Sequence, residues 1–365
     1  MPTVIVPTSV RGLVFRPESE AANEAAQALR GQGVRAIVVL LHGGGRQGTD
    51  MAEGQTGDIN GCRDMSPAFV DLVRRMSDAI DVVVSGHSHQ AYSCTIYGKL
   101  VTSAASGGRL ITDIDLQIRR SDGDIVSKAA RNLVVTREVT KDPAQTALLA
   151  RYRPLGDTIG NRVVGSIAAS LTRVPNEAGE SPLGNVVADA LLEAARHTPR
   201  AGAEIAIWNP GGIRADLVAT PGPGPTPVTH AQVFSVMPFG NELIVKSISG
   251  KTLLQMLEEQ FGVERVRIMQ VSTGFTYAYD ASRPPGRRID RASVRINGAP
   301  LDPARQYRLA TSNFLWGGGD GLTALAQVPS AGSVLVGVDY EILADYLSRH
   351  APVRPGPQNR IRRIR

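Results

Sequence analysis

Short apolar runs alternate with polar, glycine-bearing breaks along the first third of the chain. Residues 21–34, EAANEAAQALRGQG, are rich in strong helix formers and predict a helix stopped by Gly31. The run AIVVLL (36–41) is too short for a helix and predicts a strand buried on both faces. A polar, glycine-rich loop follows, from Gly43 to about Asp64. Ser66 then stands as the cap of a helix with Pro67 at its first position. Phe69, Val70, Leu72, Val73 and Met76 form its apolar face. DVVV (81–84) is the next buried strand, which makes strand, crossover helix and strand a βαβ unit.

Beyond the second strand the pattern turns all-β. TIYGKLVTS, LITDIDLQIRR and IVSKAARNLVVTREV read as strands, the last two joined by SDGD as a turn. DPAQTALLARYRPL (142–155) interrupts them as a single helix between polar flanks, read as a linker. From about residue 159 an α+β unit follows, with helices at LGNVVADALLEAARH, GKTLLQMLEEQFG and DYEILADYLSRH. Its strands include EIAIWN and QYRLATSN. There is no internal repeat. The expected organisation is an α/β unit over 1–140, a helical linker over 141–158 and an α+β unit over 159–365.

Composition narrows the class. Of 365 residues 42% are hydrophobic and 20% charged, ordinary globular usage that excludes wholesale disorder. No apolar run approaches the roughly 20 residues of a membrane span. The first twenty residues lack the basic start and apolar core of a signal peptide. The net charge is +6, carried by 35 arginines against five lysines, but the charge is spread out except at the final NRIRRIR. A nucleic-acid binder would cluster it, so no nucleic-acid partner is expected. Cys62 and Cys94 are too few for a disulfide scaffold and can be two buried thiols or one bridge.

Two groups of residues carry candidate chemistry. His42 ends the first buried strand, and His87 and His89 end the second within SGHSHQ. Ligand sites of open α/β sheets lie beyond the carboxyl ends of their strands, and converging neutral imidazoles suit divalent metals. Loop histidines making ordinary hydrogen bonds are the bland alternative. HGGG (42–45) and GHSHQ (86–90) imitate a serine-hydrolase oxyanion loop and nucleophile elbow. The match fails because position 90 is Gln90 and a strand, not a helix, follows Ser88.

The second group lies after residue 170. In IAIWNPGGIRADL, Asn209 and Arg214 flank a glycine turn at which Gly211 and Gly212 would let a ligand approach the backbone. Arg214 suits a phosphate. SNFLWGGGDGL places Phe314, three glycines and Asp320 in one loop, and MPFGN puts Phe239 on a turn. Phe314 serves either to pack the core or to stack on a base, while Asp320 could accept from a ribose.

These segments resemble the bacterial 5′-nucleotidase family, the bifunctional metallophosphatase/nucleotidases related to ecto-5′-nucleotidase. ESPLGNVVADALL, WNPGGIRA, MPFGNELIVKSISGKTL, IMQVSTGFTYAYD and SNFLWGGGDG carry the resemblance in the second half, and VVLLHGG and VVVSGHSHQAY in the first. It implies the C-terminal part of a calcineurin-like metallophosphoesterase sandwich, followed by the family's substrate domain. It further implies hydrolysis of nucleotide phosphate monoesters with two divalent metals (Zn, Mn, Co or similar), and a periplasmic or secreted location. His42, His87 and His89 match metal ligands. Asn209 and Arg214 match phosphate and ribose contacts, Phe239 and Phe314 the pair that sandwiches the base, and Asp320 the ribose contact. Arg173 matches a further substrate arginine. Export, together with the places of Cys62 and Cys94 beside the histidine-bearing strand ends, implies that the two form a disulfide.

The chain departs from the family pattern in one respect. The family's Asp-x-His, bridging Asp and Gly-Asn-His-Asp/Glu segments, the last with the general-acid histidine, have no counterpart. Residues 1–41 contain neither aspartate nor histidine. The expectation is therefore an N-terminally truncated first domain. The chain would be either part of an enzyme with little turnover alone or a non-catalytic nucleotide-binding remnant.

Overall fold

The computed structural model describes residues 12–48, 58–262 and 266–365. Their contacts divide the chain into two compact units, one spanning 14–145 and the other holding 146–365.

In the first unit the predicted βαβ element is present. The helix Glu18–Gly31 precedes the strand Val38–Leu41, and the helix Pro67–Arg74 leads to the strand Val82–Ser85. The two strands pair in parallel, Leu40 opposite Val84 and Leu41 opposite Ser85. Lys99–Ala104 adds a third parallel strand, and Ala91–Ile96 closes the sheet antiparallel to it. Val38–Leu41 is therefore an outer strand of this sheet among the described residues; its Leu40 is 82% exposed. The core below gathers Ile37, Phe69, Val73, Met76, Ile80, Val83, Tyr92 and Val101, the apolar face read from the helix being its centre. A separate hairpin pairs Leu110–Ile118 with Ile125–Val134.

Ser66 departs from expectation. Pro67 does open its helix, but the Ser66 side chain makes no cap and instead accepts from the backbone N–H of Arg46 at 3.2 Å. Local propensity supplied the correct boundary, while a tertiary contact took the hydroxyl.

The helix Pro143–Gly160 runs across the boundary into the second unit, longer than the linker helix read from the sequence and continuing through Pro154, with no residue buried. A five-stranded mixed sheet follows. In spatial order its strands are Gln270–Val271, Ile205–Trp208, Gln306–Ser312, Glu242–Ser249 and Val334–Val338. Side-chain alternation explains why the central runs read as continuously apolar. Ile205 and Ile207 belong to one core cluster, whereas Ala206 and Trp208 belong to another. The sheet is thus buried on both faces. The helices Pro182–His197 and Asp339–Arg349 cover one face. Gly250–Glu259 packs on the other, beside a four-stranded sheet of Ala299–Pro300, Ile289–Ile296, Phe275–Tyr279 and Ile361–Arg363.

The terminal arginine run is structural. Ile361–Arg363 pairs in parallel with Tyr277–Tyr279. The buried Glu180 carboxylate accepts from the backbone N–H groups of Arg360 and Ile361 at 3.0 and 3.1 Å. Arg360 forks onto both oxygens of Asp189 at 2.8 and 2.7 Å. The sequence showed the charge but not these acceptors, which lie more than 170 residues away.

Candidate functional site

In the second unit, the strand Ile205–Trp208 delivers Asn209 at its carboxyl end, followed by the single 3₁₀ turn Pro210–Gly212. Both glycines are used, in different ways. A Cβ on Gly212 would lie 2.5 Å from the indole nitrogen of Trp208, so this glycine makes room for the tryptophan rather than for a ligand. Gly211 is open: the nearest atoms to a Cβ there are Asn209 Nδ2 at 3.6 Å and Asp320 Oδ2 at 4.0 Å.

The second loop arrives from the neighbouring strand Gln306–Ser312. Ser312 caps the short helix Asn313–Trp316, accepting from the N–H of Leu315. Gly318 and Gly321 have positive φ, 87° and 83°, and between them Asp320 also adopts the left-handed region at φ 56°. Aspartate tolerates that conformation better than most residues. The turn brings the Asp320 carboxylate to Asn209, whose Nδ2 donates to Asp320 Oδ2 at 2.8 Å. Arg267 Nε stands 3.4 Å from the other oxygen. Nothing in the sequence pattern had singled out Arg267.

The predicted residues meet in pairs. Arg214 donates to the Gly211 carbonyl at 3.2 Å, and its guanidinium lies 6.0 Å from the Phe239 ring centroid. Phe239 is 58% exposed on the turn after the helix His230–Val236. Phe314 is half-buried, packed against the core with its ring over Gly319. Arg214 is thereby paired with an exposed aromatic, the Asn209 amide with a carboxylate, and the second aromatic with the glycine that precedes that carboxylate. Arg173 is not joined to them: its backbone N–H donates to Asp216 Oδ1 at 2.8 Å, and its exposed side chain makes no hydrogen bond or ion pair among the described residues.

In the first unit, the loops after the two parallel strands meet closely. A Cβ on Gly44 would lie 2.1 Å from the Gly86 carbonyl oxygen, so glycine is required there. The Tyr92 hydroxyl accepts from Gly45 N–H at 2.9 Å and bonds Ser85 Oγ at 2.6 Å, fixing both loops to the sheet. Burial holds the Tyr92 phenol above its ordinary pKa, so it remains a neutral donor. The rings of His42 and His87 lie 4.8 Å apart, centroid to centroid. His87 and His89 both take left-handed backbone, φ 58° and 55°. Ser88 is buried and the strand Ala91–Ile96 follows it, so no nucleophile elbow exists.

The donor set was tested against the two-metal centre implied by the resemblance. Among the described residues no three His, Cys, Asp or Glu side chains converge on one point. The described residues therefore do not make up such a centre. Cys62 and Cys94 form the expected disulfide, with Cα atoms 5.2 Å apart.

Residues 161–327 match the model of the 5′-nucleotidase C-terminal domain. An endonuclease of Bacillus subtilis, YhcR, is 28% identical over 86% of this chain and 23% of its own length. The cell wall protein Lmo0130 of Listeria monocytogenes is 29% identical over 90% of this chain and 42% of its own. The chain thus spans less than half the length of these curated relatives. Among solved structures, a 5′-nucleotidase precursor of Thermus thermophilus superposes with a TM-score of 0.74 at 29% identity, covering 96% of this chain and 68% of that one. The α/β and α+β units expected from the sequence are those of this fold. Through residues 161–327, the chain is thus similar in sequence to the 5′-nucleotidase C-terminal domain.

Proposed function

We propose that the loops around Asn209 and Asp320 hold the nucleoside part of a nucleotide, and that the chain serves a 5′-nucleotidase-type hydrolysis of nucleotide phosphate monoesters. The Asn209–Asp320 hydrogen bond, the contact of Arg214 with the Gly211 carbonyl and the Phe239 ring, and the Phe314 ring over Gly319 carry this reading. Phe239 and Phe314 would hold the base by stacking, worth about 1–3 kcal/mol per contact. Asp320 would accept from ribose hydroxyls, and Arg214 would add a charge-assisted contact to phosphate. Arg173, exposed and not joined to these residues, would meet substrate only if the phosphate reached it.

Titration of the whole chain with adenosine and AMP tests the reading. Binding at millimolar concentration or tighter is expected, and Phe314→Ala should lose affinity while melting close to the parent. No binding by the parent would overturn it.

Binding without turnover is a second reading, favoured because no three His, Cys, Asp or Glu side chains converge among the described residues. Metals held by His42, His87 and His89 would then need ligands beyond the described residues. A general acid alone contributes roughly 10²–10⁴-fold to such a reaction. Phosphate release from AMP with Mn²⁺ should therefore be far below the ordinary ~10 s⁻¹. Turnover at that rate, abolished by His87→Ala, would reject the second reading. No described helix is long and apolar enough to cross a membrane. The disulfide supports function in an oxidising, periplasmic or extracellular compartment.

A further inference from the structure

The Asp320 carboxylate is held by two groups from separate parts of the fold. Asn209 Nδ2 donates to Oδ2, and Arg267 Nε pairs with Oδ1 at 3.4 Å. The Asp320 side chain is 10% exposed and that of Arg267 31%, so the pair lies at the rim of the loop cluster, where the cation still reaches solvent. The backbone under Arg267 is fixed: its N–H donates to the Gln260 carbonyl at 2.8 Å. Next to it, Met269 N–H donates to Gln260 Oε1 at 3.0 Å. Ile268 packs against Gly179, where a Cβ would come within 2.6 Å. The arginine is thus presented from an anchored segment, not from a loose loop.

A carboxylate offers about four lone-pair directions. Two are occupied here by groups on either side, which leaves the others with a defined direction. Without Arg267, the Asp320 carboxylate would be free to rotate about its Cβ–Cγ bond, held only by the Asn209 amide.

We propose that Arg267 is a positioning residue for Asp320: it orients the carboxylate toward the vicinal hydroxyls of a bound ribose and so sets the preference for ribonucleosides over those lacking these hydroxyls. This rests on the nucleoside reading above and deepens it.

The test is calorimetric titration of the whole chain with adenosine and with 2′,3′-dideoxyadenosine, for the parent, Arg267→Ala, Arg267→Lys and Asp320→Ala. The parent should prefer adenosine. Arg267→Ala should lose about tenfold in adenosine affinity, the size of one hydrogen bond to a charged group, with the dideoxy ligand changed less than about twofold. Arg267→Lys should restore part of the preference, since a point charge can pair with the carboxylate but without the guanidinium geometry. A purely structural arginine would lower both affinities together, and that result overturns the proposal. So does an Arg267→Ala variant with unchanged selectivity when Asp320→Ala has lost it, which leaves the nucleoside reading intact. A parent that binds neither ligand removes both the reading and the inference.

Discussion

The ring of Phe314 occupies the space that a side chain on Gly319 would fill: a Cβ there would lie 2.4 Å from Phe314 Cζ. Gly319 has no positive φ, so its glycine is required by space, whereas Gly318 and Gly321 are required by conformation. The glycine run is therefore shaped around an aromatic ring of the protein itself. Under the proposed function, that ring is the face offered to a ligand.

Gly319→Ala should consequently act on binding through Phe314. Its backbone conformation suits alanine, but the ring must swing away. Adenosine affinity is expected to fall at least about fivefold, the lower end of one base-stacking contact. Calorimetry of the variant beside Phe314→Ala checks this. Full parental affinity in Gly319→Ala would show that the ring position is irrelevant.

Glu180 should be indispensable to the end of the chain. Its carboxylate accepts from Asn185 Nδ2 at 2.6 Å as well as from the N–H groups of Arg360 and Ile361. Glu180→Gln substitutes a donor for one of these acceptors and strands a buried N–H, at a cost of about 1–3 kcal/mol. For a unit of this size that amounts to several degrees in melting temperature. Differential scanning calorimetry should show it, together with faster hydrogen exchange over 360–363.

The disulfide closes a loop with a sequence separation of 32. On the chain-entropy account, replacing Cys62 and Cys94 by serine destabilises the first unit by about 3–4 kcal/mol. Urea unfolding of the double variant should show a lower midpoint for the first unit, with the second unit's transition unmoved.

Asp339 gives a pH dependence. Burial pushes its carboxyl above the ordinary range, although the N–H groups of Asn241 and Tyr340 and the Asn241 amide donate to it. A raised folded value means that its contribution is fully present below the unfolded pKa of about 3.9 and is lost as pH rises through the folded one. Asp339→Asn does not titrate. The stability of the parent minus that of the variant should therefore decrease as pH rises above the unfolded value of about 3.9. A difference that grows with pH would contradict this.

The parts of the fold that were legible in the sequence are those set by local patterning. Apolar runs marked Val38–Leu41, Val82–Ser85 and Ile205–Trp208, and Pro67 marked a helix start. Ser66 shows the limit, because its hydroxyl went to Arg46 and not to its own helix. The candidate site was legible where residues sit in compact motifs, as Asn209 and Asp320 do. Arg267 was not, since an arginine 53 positions before its carboxylate in an ordinary segment carries no local mark. Glu180 and Asp189 were hidden for the same reason, their partners arriving only when the final strand docks.

The outer strand Val38–Leu41 has a practical consequence for handling the protein. It carries Val38 at 46% and Leu40 at 82% exposure, with no charged residue among its four. Natural proteins blunt such margins with lysines, prolines or bulges, because unpaired N–H and C=O groups recruit any extended chain that can continue the ladder. Among the described residues, the first unit thus bears a self-adhesive border. At high concentration, chains carrying it will tend to associate border to border, however well the second unit is folded.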